Sequence, residues 1–206
     1  MGAGGTNCPV YRRFFEDRNP RARELRIVAM EEEFPSEFSD RNCYLWFFDQ
    51  DLPGYSWYVP KGNGYLNLGI GAKFAVLDSR AETIRSHWDQ FVSRMNKLNL
   101  VNGHGFKPKG YSYYLRQNVE EVRSGNAFVV GDAAGLATRD MGEGIGPAIE
   151  SGILAARAIA EGRPYSIRGI GKYSLPGILL PWLGSPGSRR RSLSPRTHAR
   201  RTNRPD

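Results

Sequence analysis

One segment, residues 129–152, restricts the fold of this 206-residue chain more than any other. It consists of an apolar strand, the stretch GDAAG at 131–135, a short loop, and GEGIG at 142–146 opening a helix. In α/β folds, ligands bind where the carboxyl end of a strand faces a helix N-terminus. Glycines there expose backbone N–H groups, and the helix dipole favours an anionic or electron-rich ligand. The segment therefore predicts a ligand-binding loop, although an ordinary glycine-rich turn capped by Asp132 fits the spacing equally well.

Two helices are predicted from the spacing of apolar residues. The first begins at Ser79, where an S-x-x-E capping box with Glu82 precedes a helical apolar face. The second runs from about residue 144 to 161, where Gly162 ends it. Its isoleucines and alanines form one stripe, and Ser151, Gly152 and Ala155 keep a neighbouring face slim, so we expect unusually close packing there.

Short runs rich in β-branched and aromatic residues predict an antiparallel sheet. They cover 24–34, 42–49, 55–60 and 65–71, and 109–115 is a further, weaker strand. The Lys61-Gly62-Asn63-Gly64 turn predicts a hairpin between the third and fourth runs. Residues 127–130 (AFVV) are typical of a buried strand in a parallel sheet. The fold class is thus mixed α/β.

The GDAAG and GEGI stretches, followed by the A-x-x-S-G-x-x-A-A helix, closely resemble the second FAD-binding motif of flavoproteins related to p-hydroxybenzoate hydroxylase. The resemblance implies that Asp132 contacts the ribityl chain or nearby diphosphate, and that the N–H groups of Gly144 and Ile145 face the flavin N1/O2 edge. A helix N-terminus there would stabilise the negative charge of reduced flavin. The implied cofactor-binding residues are Gly131, Asp132, Ala133, Gly135, Gly142, Gly144 and Ile145.

A second stretch, YSWYVPK at 55–61 with GIG at 69–71, resembles the Y-x-W-x-F-P-K…G-x-G signature of geranylgeranyl reductases, with Val59 in place of Phe. Strand alternation puts Tyr55, Trp57 and Val59 on one face, which would wall an apolar cavity for an isoprenoid chain. Lys61 at the rim would meet a lipid phosphate. The alternative is an aromatic core face with a solvated turn lysine. The implied substrate-binding residues are Tyr55, Trp57, Val59, Pro60, Lys61, Gly69 and Gly71.

The first residues, GAGGTNCPVYR at 2–12, resemble the G-A-D-G-x-x-S-x-x-R motif that these flavoproteins carry mid-chain, with Gly4 for its Asp and Cys8 for its Ser. The strand and G-x-G-x-x-G turn that open a complete member have no counterpart in this sequence. We therefore expect a fragment that lacks the N-terminal dinucleotide-binding βαβ unit. The expected division is a partial FAD domain at 1–22, an antiparallel-sheet substrate domain at 23–115, an FAD-binding segment at 116–165, an extension at 166–184 and a basic tail at 185–206.

Charge is concentrated in that tail. The chain has a formal net charge of +8, and residues 187–206 hold seven arginines and one aspartate, so the remainder is only +2. The tail has no apolar period and no interleaved aromatic residue, which predicts disorder or out-of-frame translation. We do not expect nucleic-acid binding through the tail; a salt-dependent affinity would reveal such binding.

The resemblance implies an FAD-dependent oxidoreductase that reduces carbon–carbon double bonds of an isoprenoid lipid. The flavin performs the chemistry, so no catalytic side chain is assigned, and Cys43, His87 and His104 are expected to be structural. The electron donor, NADPH or ferredoxin for example, stays open. A flavin monooxygenase or halogenase of the same superfamily, or a non-enzymatic remnant, is the alternative. Two cysteines without metal-ligand spacing fit a reducing compartment, and we expect a cytoplasmic protein in peripheral contact with a membrane.

Overall fold

The computed structural model describes residues 1–37, 40–101, 103–119 and 121–175. Residues Met1–Ser174 form one compact unit. The predicted basic tail at 185–206 and residues 176–184 of the predicted extension lie outside the described residues. The division of the remainder into a flavin part and a substrate part stays a prediction.

A five-stranded antiparallel sheet is the largest element of this unit. Its order is β2-β3-β4-β1-β5, so both neighbours of β1 are distant from it in sequence. The strands are β1 (Arg26–Pro35), β2 (Tyr44–Phe47), β3 (Gly54–Lys61), β4 (Tyr65–Lys73) and β5 (Lys109–Tyr114). The predicted sheet and the mixed α/β class are confirmed.

The hairpin between β3 and β4 closes where the sequence predicted it. Lys61 pairs with Tyr65, and the Gly64 amide donates to the Lys61 carbonyl at 3.2 Å. Gly64 has φ +78°, a conformation that glycine adopts without the steric penalty of a Cβ. The turn fixes the register that sets Tyr55 opposite Gly71 and Trp57 opposite Gly69.

Four α-helices lie within the described part of residues 1–174; the second and third pack against the sheet, and the fourth packs against the turn at 131–134. The helices are α1 (Pro9–Phe14), α2 (Phe74–Ser79), α3 (Ile84–Lys97) and α4 (Ile145–Glu161). The apolar side of α3 packs on β1, β3 and β4, with Trp88 and Met95 almost fully buried against Tyr58 and Leu68. Removing this apolar area from water is the main stabilising term for the sheet.

The predicted capping box at Ser79 is wrong. Thr83 is the N-cap of α3, because its side-chain oxygen accepts from the Ser86 amide at 3.1 Å. Ser79 is instead the last residue of α2, and its hydroxyl donates to the Val76 carbonyl. Ala81, with a left-handed φ of +54°, lies between α2 and α3. An S-x-x-E match was outweighed by a second cap four residues later.

Glu82 has a different partner from the one the capping box predicted. Its carboxylate lies 2.9 Å from Nε2 of His87, which is buried rather than on the surface. The pairing satisfies the buried imidazole and gives both residues a structural role.

The predicted parallel-sheet strand at 127–130 is much shorter in the structure. β7 (Ala127–Phe128) pairs antiparallel with β6 (Arg123–Ser124), and only Val129 makes a parallel bridge, to Gly2. The chain start is thereby tied to the GDAAG segment, since the Gly2 amide donates to the Phe128 carbonyl and its carbonyl accepts from Val130.

The long helix α4 matches its predicted bounds. Gly144 is its N-cap, and Gly162 with φ +67° ends it. The slim face is buried at Ser151 and Ala155, as close packing predicted. The isoleucine stripe is exposed, with Ile145 at 75% and Ile149 at 61%. Within the described part of the chain no helix is long and apolar enough to cross a bilayer.

Candidate flavin and lipid site

The sheet face opposite α3 carries an aromatic floor. Alternation along β3 brings Tyr55 and Trp57 to this face, and their partners across β4 are Gly71 and Gly69. A Cβ at Gly71 would meet no atom closer than 3.8 Å, whereas Gly69 lies beneath the Trp57 ring. The rings of Tyr55 and Trp57 are 5.7 Å apart, and Phe47 of β2 extends the row, 5.4 Å from Tyr55.

Trp57 is held flat against the sheet. Its indole Nε1 donates to the Asn67 side-chain oxygen at 2.6 Å. A Cβ built at Gly69 would lie 1.9 Å from its Cζ2 atom, which no real side chain tolerates. The glycine therefore makes room for the ring, which lies on the sheet face opposite α3.

Strand β5 adds two tyrosines to the same face. Tyr111 and Tyr113 pair with Ala29 and Ile27 of β1, and their rings are 6.2 Å apart. Burial holds the pKa of both phenols well above the ordinary value of 10.0. Both hydroxyls thus stay neutral hydrogen-bond donors throughout the physiological pH range.

A cavity of about 110 Å³ separates this floor from the loop before α4. Tyr55 and Tyr113 line it from the sheet, Phe47 and Phe48 from the edge, and Gly142 from the loop. A Cβ at Gly142 would lie 2.7 Å from the Tyr113 hydroxyl, so the loop touches the aromatic face directly. The GEGI loop and the Y-x-W strand, far apart in sequence, thus share one cavity.

The GDAAG segment forms a 3-10 turn, Gly131–Ala134, packed on α4. The Gly131 amide donates to the buried Ser151 hydroxyl at 3.0 Å. Gly131 has φ +55°, and a Cβ there would lie 3.0 Å from that of Ala148. Position 131 needs glycine because its backbone is left-handed and lies close to the small-residue face of α4. Ser151 is needed on α4 because its hydroxyl accepts from the Gly131 amide.

The N-terminus of α4 is only partly filled by its own residues. The Glu143 carboxylate accepts from the Gly146 amide at 2.7 Å. The hydrogen bonds among the described residues leave the Gly144 and Ile145 amides, the two assigned to the flavin edge, without an acceptor. Thr138 holds the loop in place, because its Oγ1 accepts from the Glu143 amide at 3.0 Å.

Asp132 faces this open end of the helix. A Cβ at Gly144 would lie 3.2 Å from its Oδ1 atom. Burial raises the pKa of the Asp132 carboxyl, and the nearby charge of Arg21 opposes that rise. Within the described ranges the carboxylate accepts no hydrogen bond. A half-buried acceptor beside two bare amides fits a ligand that offers hydroxyl donors and an electron-rich edge, as the ribityl chain and ring of a flavin do.

Of the predicted residues, Tyr55, Gly71 and Gly142 border the cavity beside the aromatic floor, whereas Asp132 lies beside Gly144 at the N-terminus of α4. Lys61 at the far end of β3 pairs with the Glu33 carboxylate, so its charge is already matched. Pro60 pairs with Leu66, whose side chain is fully buried on the α3 side, and so it lies on the face opposite the aromatic floor. Neither residue borders the cavity beside Gly142, and Trp57, Val59 and Gly69 of the predicted substrate set do not border it either.

Sequence reasoning missed Arg21, Tyr111 and Tyr113. The alternation in KGYSYY at 109–114 was the available signal for the two tyrosines, since the hydroxyl-bearing rings recur with period two. No local pattern marks Arg21, because its partners are 15 and 112 residues away.

Comparison with known proteins agrees with the motif resemblance. No family model matches the chain. It is 32% identical over 123 residues to a digeranylgeranylglycerophospholipid reductase of Thermoplasma volcanium, an alignment covering 58% of this chain and 30% of the relative. It is 34% identical over 114 residues to a menaquinone reductase of Mycolicibacterium smegmatis, covering 54% of this chain and 27% of the relative. The chain therefore spans about 30% of the length of these relatives.

Solved structures show the same relationship. A geranylgeranyl bacteriochlorophyll reductase-like protein from Thermoplasma acidophilum is 26% identical, with a TM-score of 0.56 over 68% of this chain and 36% of that one. The flavin-dependent halogenase CmlS, at 19% identity and a TM-score of 0.52 over 77% of this chain and 29% of that one, shares the fold. The similarity to geranylgeranyl-type reductases that the motifs predict is confirmed.

Proposed function

We propose that this chain, a relative of the geranylgeranyl-type reductases, forms the flavin-ring and lipid-binding part of an FAD-dependent oxidoreductase that saturates carbon–carbon double bonds of an isoprenoid lipid. One observation carries the proposal: the amides of Gly144 and Ile145, which have no acceptor among the described residues and lie beside Asp132, closely follow Gly142 in the chain, and Gly142 lines one cavity together with Tyr55 and Tyr113. A flavin ring held at the amides of Gly144 and Ile145 would meet a prenyl chain lying on the aromatic floor.

Each part of the site has a distinct role. When bound and reduced, a flavin supplies a hydride to an unsaturated carbon. The amides of Gly144 and Ile145 would stabilise negative charge on the ring edge through the α4 dipole. The Asp132 carboxylate would accept from ribityl hydroxyls, while Trp57 and Tyr55 would orient the apolar chain and exclude water.

The lipid would enter past Phe47 and Phe48. Phe48 is 74% exposed, has a left-handed backbone with φ 55°, and borders the cavity. Gln50 and Asp51 of the same connection are also left-handed, a strain typical of functional loops. We place a peripheral membrane contact here, because an exposed apolar patch beside a lipid cavity reduces the water that the prenyl chain must cross.

The test is reduction of a defined lipid by the flavin-loaded protein. The protein is mixed with FAD, reduced with dithionite under anaerobic conditions, and incubated with a geranylgeranyl glycerophospholipid in detergent. Mass spectrometry should show the gain of two hydrogens for each double bond reduced. Dithionite replaces the unknown electron donor, so an unchanged lipid in the presence of bound, reduced flavin would contradict the proposed substrate class.

A further inference from the structure

Arg21 joins three segments that are distant in sequence. Its guanidinium donates to the Thr6 carbonyl near the chain start and to the Ala133 carbonyl of the GDAAG turn, the latter at 3.0 Å. Its Cζ lies 3.7 Å from the centre of the Tyr11 ring and 5.1 Å from that of Tyr114, at the end of β5. The guanidinium is thus fixed by two carbonyls and two ring faces.

The charge of this guanidinium is not neutralised by an ion pair. Among the described residues no carboxylate lies within salt-bridge distance of Arg21. Its Nε atom is buried and has no acceptor. Buried charges in folded proteins are normally paired, because an unpaired charge in a low-dielectric interior is costly. Its charge acts on two acidic groups, Asp132 in the GDAAG turn and Glu16.

We propose that Arg21 is a positioning residue of the flavin site, which clamps the GDAAG turn to the chain start and supplies the positive charge that Asp132 faces. The inference rests on the proposed function and deepens it, since it says what holds the ribityl acceptor in place and ionised. By donating to the Ala133 carbonyl, the guanidinium fixes the turn that carries the Asp132 side chain.

The electrostatic consequence can be measured without any cofactor. The groups coupled to Asp132 are Arg21, and the neutral phenols of Tyr111 and Tyr113 on β5. Burial raises the pKa of Asp132 and only the Arg21 charge lowers it. Removing that charge while keeping the packing should therefore raise the pH midpoint at which Asp132 titrates.

The variants are Arg21→Met and Arg21→Lys, with Arg23→Met as the matched control, because Arg23 is exposed and pairs with Asp78. Carbon-13 NMR of the Asp132 carboxyl follows the titration, and fluorescence quenching of riboflavin follows ring binding. We expect an upward midpoint shift and roughly tenfold weaker riboflavin binding for Arg21→Met. Arg21→Lys should keep the wild-type midpoint, because it keeps the charge, and the control should match wild type in both measurements.

Several results would overturn the inference. One is a folded Arg21→Met protein whose Asp132 midpoint equals that of wild type. If Arg21→Met fails to fold, a midpoint that is displaced in Arg21→Lys, which keeps the charge, would show that the charge is not the cause. A shifted midpoint in a protein whose wild type binds no riboflavin would refute the proposed function and leave the charge coupling standing, so the two failures are distinguishable.

Discussion

The indole of Trp57 lies directly over Gly69 and occupies the space that any side chain at position 69 would need. The residues are cross-strand partners of β3 and β4, so the ring of one packs on the backbone of the other. A tryptophan held this way presents its outer face to the cavity side of the sheet, where an apolar chain would pack.

Gly69→Ala should destabilise the protein and displace the Trp57 ring from the sheet face. The new methyl overlaps the Trp57 ring, and forcing a group into a packed site costs about 1–3 kcal/mol. Urea unfolding with tryptophan fluorescence measures both the stability and the ring's environment. Gly71→Ala is the matched control, because its nearest neighbour would be 3.8 Å away; equal effects at both positions would contradict the packing account.

Ser151→Ala should loosen the GDAAG turn. The hydroxyl of Ser151 is fully buried and accepts from the Gly131 amide, which would be left without a partner. An unsatisfied buried donor costs about 1–3 kcal/mol. Hydrogen exchange at the Gly131 amide should accelerate along with the loss of stability. Ser93→Ala on the exposed side of α3 should change neither.

Asp132→Asn should stabilise the protein at neutral pH and weaken flavin binding. Because burial raises the folded pKa of Asp132 above its ordinary value of 3.8, the charged form is disfavoured in the folded state. The destabilisation is therefore absent below the unfolded pKa and fully present once the pH exceeds the folded pKa. Thermal unfolding of the two proteins should converge at low pH and separate as pH rises, and the opposite trend would contradict the assigned cause.

How much of the fold could be predicted from the sequence depended on how far apart in the chain the interacting residues are. The strands and the hairpin at Gly64 follow from local alternation and turn chemistry. So does α4, which carries its own stop signal at Gly162. The start of α3 was mispredicted because two capping motifs compete within five residues, and only packing decides between them.

The site was predictable in its motifs but not in its assembly. GDAAG and GEGI mark the amides and the carboxylate, yet their meeting with Tyr113 depends on where β5 sits in the sheet. Arg21 was invisible because its contacts span the chain. The exposure of Ile145 and Ile149 also escaped, since a periodic stripe shows that a face is apolar without showing that anything covers it.

Phe48→Ser should weaken binding to lipid vesicles. Losing one phenylalanine that inserts into a bilayer should reduce partitioning roughly tenfold. Phosphatidylcholine vesicles in about 0.5 M salt suppress the contribution of the arginine-rich C-terminal residues. Phe14→Ser removes an equally apolar side chain, 48% exposed on α1, and should leave binding unchanged. Equal losses for both variants would place the membrane contact elsewhere.

The most direct test of the central claim is an amide NMR titration of the uniformly nitrogen-15-labelled protein with riboflavin. We predict that the Gly144 and Ile145 amide signals show the largest chemical-shift changes. Asp132→Ala should abolish these changes while the rest of its spectrum shows an intact fold. Saturable riboflavin binding that leaves those two amides unmoved, or no binding at millimolar ligand, would contradict the central claim.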